Sequence, residues 1–273
     1  MKKVLTIAGS DSSGGAGMQA DIKTITAHCM YAMSAVTALT AQNTTGVYGV
    51  FDAPPEFVGQ QLDCIFTDIV PDAVKIGMVS NAAIIEVIAA KLKEYNASSV
   101  VLDPVMVATS GGKLIQDDAS VTLQKLLIPM AAVITPNMPE AEALSGIDEI
   151  DTEEKAEKAA GIIADASVKA GGRAPAVLIK GGHLDSSADD LLYLPDEDRK
   201  VWFRAPHIDN PNTHGTGCTL SSAIACELAE NPGDLEGAVR RAKEYISGAI
   251  GAGLDLGHGR GPLNHMYKFT ESE

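Results

Sequence analysis

His214-Gly215-Thr216-Gly217-Cys218-Thr219 sets a threonine between two glycines and runs directly into the apolar stretch Leu220-Ser221-Ser222-Ala223-Ile224-Ala225-Cys226. The apolar stretch reads as the start of a buried helix, so the residues before it form that helix's N-terminus. There the first backbone N–H groups have no intrahelical acceptor, and the positive end of the helix dipole coincides with them. An anionic oxygen group is the natural occupant. Glycine removes the Cβ that would hold such an anion away. Gly-Thr-Gly also occurs as an ordinary loop, so its chemistry depends on what else gathers around it.

Other polar residues fall at the ends of short apolar runs: Gly9-Ser10-Asp11, Gln42-Asn43, Gly77-Met78, Asp103-Pro104, Asn137 and Lys180-Gly181-Gly182. Turns use these residue types in any protein. Their recurrence at successive run ends points to one functional cleft. Glu140, three residues after Asn137, lies in a first helical turn. There it either complements the helix dipole or holds Mg²⁺ through water. Asp103 has the same two readings, turn former or carboxylate near a metal. His183 and His214 lack metal-ligand spacing and read as loop hydrogen-bonders. The glycine-rich segment from Gly9 to Gly17 is neither a Walker A loop, since no Lys-Ser/Thr follows it, nor a correctly spaced dinucleotide fingerprint. It reads as a close-packed loop over a substrate.

The elements that hold these residues alternate. Strand-like runs at Lys3–Ala8, Met33–Leu39, Ala73–Ile76, Ser99–Leu102, Ala131–Ile134 and Ala176–Ile179 are separated by helical patterns. The helices are predicted over Ala16–His28, from Pro54-Pro55 to about Phe66, and over Asn81–Tyr95, Asp117–Leu127 and Thr152–Ala170. This alternation implies an α/β fold with a mostly parallel central sheet and helices on both faces. Asp190–Leu194 and Lys200–Arg204 flank an acidic turn and predict a small antiparallel hairpin at one sheet edge. A further long helix is predicted over Leu235–Leu254. No repeat or linker divides the chain, so residues 1–273 read as a single domain.

Composition narrows the function class. The chain has 273 residues, 45% hydrophobic and 21% charged, with a net charge of −15. That charge disfavours a nucleic-acid or anionic-membrane surface. No apolar run approaches the roughly 20 residues that span a bilayer, and a cytoplasmic protein is expected. Cysteines at 29, 64, 218 and 226 show no metal pairing, and three of them are expected to be buried thiols.

The assembled motifs resemble the ribokinase-like small-molecule kinases, and within them the hydroxymethylpyrimidine/phosphomethylpyrimidine kinases of thiamin biosynthesis. The resemblance rests on Ala8-Gly-Ser-Asp-Ser-Ser-Gly-Gly-Ala-Gly-Met-Gln-Ala-Asp21, Val36-Thr-Ala-Leu-Thr-Ala-Gln-Asn43, Lys75-Ile-Gly-Met78 and Val101-Leu-Asp-Pro-Val-Met106. It continues through Ile134-Thr-Pro-Asn-Met-Pro-Glu140, Ile179-Lys-Gly-Gly-His183, Asn212-Thr-His-Gly-Thr-Gly-Cys-Thr219 and Gly259-Arg-Gly-Pro-Leu-Asn-His265. It implies a three-layer ribokinase-like fold, ATP and Mg²⁺ as cofactors, and phosphorylation of 4-amino-5-hydroxymethyl-2-methylpyrimidine and its monophosphate. A homodimer is the expected assembly. Vitamin B6 kinase activity on pyridoxal or pyridoxine is the alternative, and a non-catalytic pyrimidine or nucleotide sensor is a third reading.

Residue by residue, the resemblance makes Gly215, Thr216, Gly217 and Cys218 the anion hole for the transferred γ-phosphoryl group. Cys218 stands where sugar kinases of this superfamily carry an aspartate base. Asn137, Lys180 and Thr213 fall on the nucleotide side, and Asp103 and Glu140 near Mg²⁺. Gly9, Asp21, Gln42, Met78 and Val105 face the pyrimidine, with Gln42 bonding a ring nitrogen or the exocyclic amine. Relatives can carry glutamate at position 42, where an amide offers both donor and acceptor. A helix N-terminus favours a Cys218 thiolate able to accept an alcohol proton, although packing beside the site is the competing role. The segment Thr109-Ser110-Gly111-Gly112-Lys113 reads as a flap or a surface turn.

Overall fold

The computed structural model describes residues 1–106, 117–181 and 188–269. The segment 109–113, Gly182 and His183 lie outside the described residues.

Strand β1 (Lys3–Ala8) is an inner strand, buried from Val4 to Ala8 on both faces, as a strand covered on both sides requires. It pairs in parallel with β2 (Tyr31–Val36) and with β5 (Ala73–Ile76), Thr6 lying opposite both Ser34 and Lys75. Strands β6 (Val100–Leu102), β7 (Val133–Ile134) and β8 (Ala176–Ile179) extend the parallel set. The antiparallel hairpin β9 (Asp190–Leu194) and β10 (Arg199–Phe203) closes one edge, giving the order β10-β9-β8-β7-β6-β5-β1-β2.

Alternation along the strands splits the core in two. Leu5, Ile7, Val74 and Ile76 pack under α2 (Pro55–Phe66), α3 (Ala82–Glu94), α4 (Asp117–Leu126) and α6 (Glu153–Lys169), through Leu62, Ile85, Leu123 and Ile163. Val4, Ala73 and Val101 pack under α1 (Gly17–Ala27), α7 (Thr216–Glu230) and α8 (Leu235–Ala252), through Ile25, Ile224 and Tyr245. Helix α5 (Met138–Ser145) lies beside α6. The result is the three-layer α/β arrangement. The chain leaves β1 over the α1 face and reaches β5 over the α2 face, so the strand order reverses between them. In open α/β sheets, ligands bind beyond the strand ends at such a point.

Two expectations need correction. Met33–Leu39 is not one strand. β2 ends at Val36, and Thr37 turns the chain, its Oγ1 donating to the Met78 carbonyl at 2.8 Å. A separate two-stranded antiparallel sheet follows, β3 (Ala38–Asn43) with β4 (Gly46–Asp52), and it carries Gln42. Ala38 and Thr40 are buried while Leu39 and Ala41 are exposed. This period of two marks a strand covered on one face, whereas β2 belongs to the main sheet. Of the four cysteines only Cys226 is buried; Cys218 is half-buried, and Cys29 and Cys64 are exposed. Cys64 points away from the α2 face that buries Val58, Leu62 and Phe66, and Cys29 follows the end of α1 with φ 58°.

Candidate active site

Helix α7 follows directly on Gly215, whose φ of 86° lies in the left-handed region, and no side chain caps it. A Cβ at Gly215 would collide with the backbone carbonyl of Gly15, so glycine lets two loops meet backbone to backbone. Helix α1 also begins without a side-chain cap. Its first residue, Gly17, has φ 55° and donates its N–H toward the Cys218 sulfur. Two helix N-termini therefore converge at Cys218, an anion-binding arrangement.

The two glycine loops are locked by Asp11 and His214. Asp11 Oδ2 accepts from His214 Nε2 at 2.7 Å, Ala16 N at 2.8 Å and Gly15 N at 3.1 Å. Its Oδ1 accepts from the Ser13 N–H and hydroxyl at 2.9 and 2.7 Å. Burial opposes the charge on Asp11, yet the hydrogen bonds from His214 and Ser13 prevail and hold its carboxyl far below the usual range. The Gln42 amide nitrogen lies 3.4 Å from His214 Nε2, and its oxygen lies 3.2 Å from Thr40 Oγ1. The proton on His214 Nε2 serves Asp11, and the Thr40 hydroxyl proton serves the Ser10 carbonyl at 2.8 Å. Both protons are already used, so the rotated amide is the compatible one: its NH₂ donates to the Thr40 oxygen, and its oxygen rather than its NH₂ lies beside the His214 N–H, which avoids a donor–donor contact.

On the other side of α7, Lys180 Nζ lies 2.8 Å from Asp103 Oδ1 and 3.9 Å from Glu140 Oε2. Asp103 also accepts from Thr135 Oγ1 at 3.1 Å. Glu140 and Asn137 form a capping box at the start of α5, with Asn137 N donating to Glu140 Oε2 at 2.8 Å and Glu140 N to Asn137 Oδ1 at 2.9 Å. A parallel bridge sets Asn137 beside Lys180. Burial works against charge at both acids. Lys180 and Lys75 nevertheless hold Asp103 below its ordinary value, while Glu140 is pushed up by burial and by Asp103. A Cβ at Gly217 would lie 3.4 Å from Asp103 Oδ2 and 3.5 Å from Lys180 Nζ, so the anion loop faces this cluster directly. Among the described residues no group of three or more His, Cys, Asp or Glu side chains could hold a metal. Two carboxylates still suit Mg²⁺, which keeps several waters and takes phosphate oxygens as further ligands.

Gly9 and Met78 are in contact, a Cβ at Gly9 falling 2.6 Å from Met78 Cε. Val105 is half-buried just past β6, and the Thr213 carbonyl accepts from Thr216 Oγ1 at 2.8 Å. Asp21 departs from its expected place against a pyrimidine. It is fully buried, and its oxygens are taken by Lys75, Thr6 and Ser222. Cys218 departs from the expected thiolate: burial pushes its thiol up to about 11, and Lys75 offsets only part of this. Asp11 and Lys75 were absent from the sequence-derived site. A lysine inside the apolar run of β5 was the available signal, because a buried ammonium demands a carboxylate partner.

The C-terminal segment braces α7 from behind. Thr219 Oγ1 lies 2.9 Å from His265 Nε2, and Tyr245 donates to the His265 carbonyl at 2.8 Å. Burial and then Lys23 hold the His265 pKa down to about 4. The unfolded chain therefore binds more protons than the native state between pH 6.5 and 4, and stability falls as pH falls through that window. Lowering pH from 7 to 5 is expected to cost about 2 kcal/mol through this residue. His28, also lowered by burial, acts in the same direction. Urea unfolding of His265→Gln at the two pH values checks this, since most of the drop should vanish.

A sequence model of the phosphomethylpyrimidine kinase family matches residues 11–264. The chain is 50% identical over 264 residues to the thiamine biosynthesis bifunctional protein ThiED of Geobacter sulfurreducens, covering 96% of this chain and 52% of that longer protein. It is 45% identical to the hydroxymethylpyrimidine/phosphomethylpyrimidine kinase of Bacillus subtilis, covering 97% of this chain and 94% of the relative. Among solved structures, the pyridoxal kinase of Staphylococcus aureus in complex with AMP-PCP and pyridoxal superposes with a TM-score of 0.88 at 35% identity, over 99% of this chain and 96% of that one. With a family model matched over residues 11–264 and relatives 45–50% identical over nearly its whole length, this chain belongs to the phosphomethylpyrimidine kinase family.

Proposed function

We propose that the protein transfers the γ-phosphoryl group of ATP to the hydroxyl of 4-amino-5-hydroxymethyl-2-methylpyrimidine, and then a second phosphoryl group to the resulting monophosphate, in thiamin biosynthesis. The observation that carries this reading is the uncapped N-terminus of α7 facing Lys180 and Asp103. Phosphoryl transfer needs chiefly positioning and stabilisation of charge on the equatorial oxygens. Gly215 and Gly217 supply N–H donors beside Thr216, whose own N–H goes to the Thr213 carbonyl at 3.3 Å, and Lys180 supplies a fixed cation. Asn137 and Thr213 bound the nucleotide side. Asp103 and Glu140 would hold Mg²⁺ through water, and the ion would neutralise phosphate charge. In the first transfer the acceptor oxygen bonds to phosphorus as the bond to ADP breaks, and the hydroxyl proton passes to Cys218 in its thiolate form, a minor fraction at neutral pH that grows as pH rises.

Gly9, Gln42, Met78 and Val105 form the acceptor side of the cleft in this reading. The amide orientation imposed by His214 and Thr40 leaves one Gln42 N–H for a ring-nitrogen acceptor. Gln42→Leu is therefore expected to raise KM for the pyrimidine about 10- to 100-fold with little change in kcat, the cost of one lost polar pairing. Steady-state kinetics at saturating ATP measures this, and an unchanged KM removes Gln42 from the site.

The parent test is mass detection of mono- and diphosphate products from the pyrimidine alcohol, ATP and Mg²⁺. Absence of both products would overturn the assignment. The likeness to the Staphylococcus aureus pyridoxal kinase favours vitamin B6 phosphorylation as the second reading. A larger kcat/KM for pyridoxal than for the pyrimidine would select it.

The protein acts in the cytoplasm, where ATP is supplied, as one domain and as a homodimer. Leu39 and Phe51 face each other across β3 and β4, 56% and 68% exposed. An apolar pair of this size on a small sheet suits contact with a second copy. Phe51→Asp should yield monomers in sedimentation velocity, and an unchanged sedimentation coefficient would rule out this face.

A further inference from the structure

Lys75 lies in the middle of the main sheet and is fully buried, as is its partner Asp21. Both carboxylate oxygens stand 2.9 Å from Lys75 Nζ. Thr6 Oγ1 donates to one of them at 2.6 Å and Ser222 Oγ to the other at 2.8 Å. Strands β1 and β5 and helices α1 and α7 thus all meet on one ion pair. Such pairs rarely repay their desolvation, and well-packed apolar residues commonly serve stability as well or better. The orientation of this pair suggests a different use.

Asp21 is one helical turn into α1 from Gly17, and Ser222 is one turn into α7 from Cys218. The carboxylate therefore sits one turn below both helix N-termini. The ammonium sits higher, level with the strand end, because a Cβ at Gly77 would lie 2.6 Å from Lys75 Nζ. From the interior to the cleft the order is carboxylate, ammonium, then Cys218 and the anion loop. Of the two charges, the ammonium also has the larger effect on the Cys218 thiol.

We propose that Lys75–Asp21 is an oriented dipole beneath the anion loop, with its ammonium end turned toward Cys218 and the transferred phosphoryl group, and that Lys75 is a positioning residue for the transfer. It touches neither substrate nor nucleotide; it adds a fixed positive field to the N–H groups that do. The inference rests on Gly215–Cys218 being the phosphoryl site.

The test reads the field without turnover. Alkylation of Cys218 by iodoacetamide at pH 8 is followed by peptide-resolved mass spectrometry, with exposed Cys29 and Cys64 as internal references. Two variants are compared with the wild type. Lys75→Met/Asp21→Asn removes both charges. Gly77→Ala keeps them but drives a methyl group into the ammonium, which can swing away because it ends a flexible side chain. In both, Cys218 alkylation is expected to slow at least about 5-fold relative to the references, since a tenfold change follows each unit in thiol pKa. The kcat is expected to fall about 10-fold or more, with KM for ATP within about twofold. Alkylation within twofold of wild type in the folded variants overturns the proposal, and Gly77→Ala decides it if the double variant does not fold. Slowed alkylation with unchanged kcat supports the dipole and overturns instead the phosphoryl-site assignment of the loop.

Discussion

Cys218→Ala is expected to lower kcat for the pyrimidine alcohol by about 10²-fold or more while leaving kcat for the monophosphate within about threefold, because positioned bases contribute about 10²–10⁴-fold only where a proton must be removed. The alcohol must lose its proton as it attacks. The monophosphate offers an oxygen already largely ionised at neutral pH, its second pKa being about 6. Burial holds the Cys218 thiol up to about 11, so little thiolate exists at pH 7 and its fraction grows about tenfold with each pH unit below that value. In the wild type, kcat for the alcohol should therefore rise between pH 7 and pH 9.5, and the rise should be absent in Cys218→Ala. Pre-steady-state and steady-state rates for both acceptors across that range measure the contrast. Equal losses for the two acceptors would reduce Cys218 to packing beside the site.

Lys180→Met is expected to act on both catalysis and folding. Lys180 joins Asp103 and Glu140 and faces Gly217, so its loss should lower kcat about 10²–10³-fold, as loss of an oriented electrostatic contact does. It also leaves two buried carboxylates without their cation, at a cost of about 3–5 kcal/mol. Glu140 already titrates above its ordinary range through burial and the nearness of Asp103, and losing Lys180 raises it further. A carboxyl with a raised native pKa stabilises the fold in its protonated form, so the variant should lose stability as pH rises from 5 to 8. Urea midpoints across that range report the trend. Lys180→Met/Glu140→Gln should recover much of the stability and none of the kcat, which separates the two roles of one ammonium. A double variant that regained turnover would place Lys180 outside the chemistry.

The main-sheet strand and helix positions were largely legible from periodicity, because β8 is apolar throughout, β1 and β5 are mostly so, and the helices carry one-sided patterns between them. The anion loop was legible for a local reason. Gly215 and Gly217 immediately precede an apolar run, and an uncapped helix N-terminus follows from that spacing with little help from the rest of the chain. Asn137 and Glu140 were likewise local, three residues apart as a capping box requires.

What escaped the sequence was long-range. The second small sheet depends on Thr37 finding the Met78 carbonyl, and nothing near Thr37 announces that partner. Asp21, grouped with the substrate by resemblance, belongs to Lys75, 54 residues away. Asp11 and His214 are separated by 203 positions, yet they join the two glycine loops. The thiol of Cys218 shows the division most clearly. Its place at a helix N-terminus was readable from the sequence and argued for a thiolate. Its burial between two helices was not readable, and desolvation outweighs the dipole. The amino-acid order determined which groups could meet an anion. The tertiary structure decided their charge states, because those depend on neighbours that only folding brings within reach.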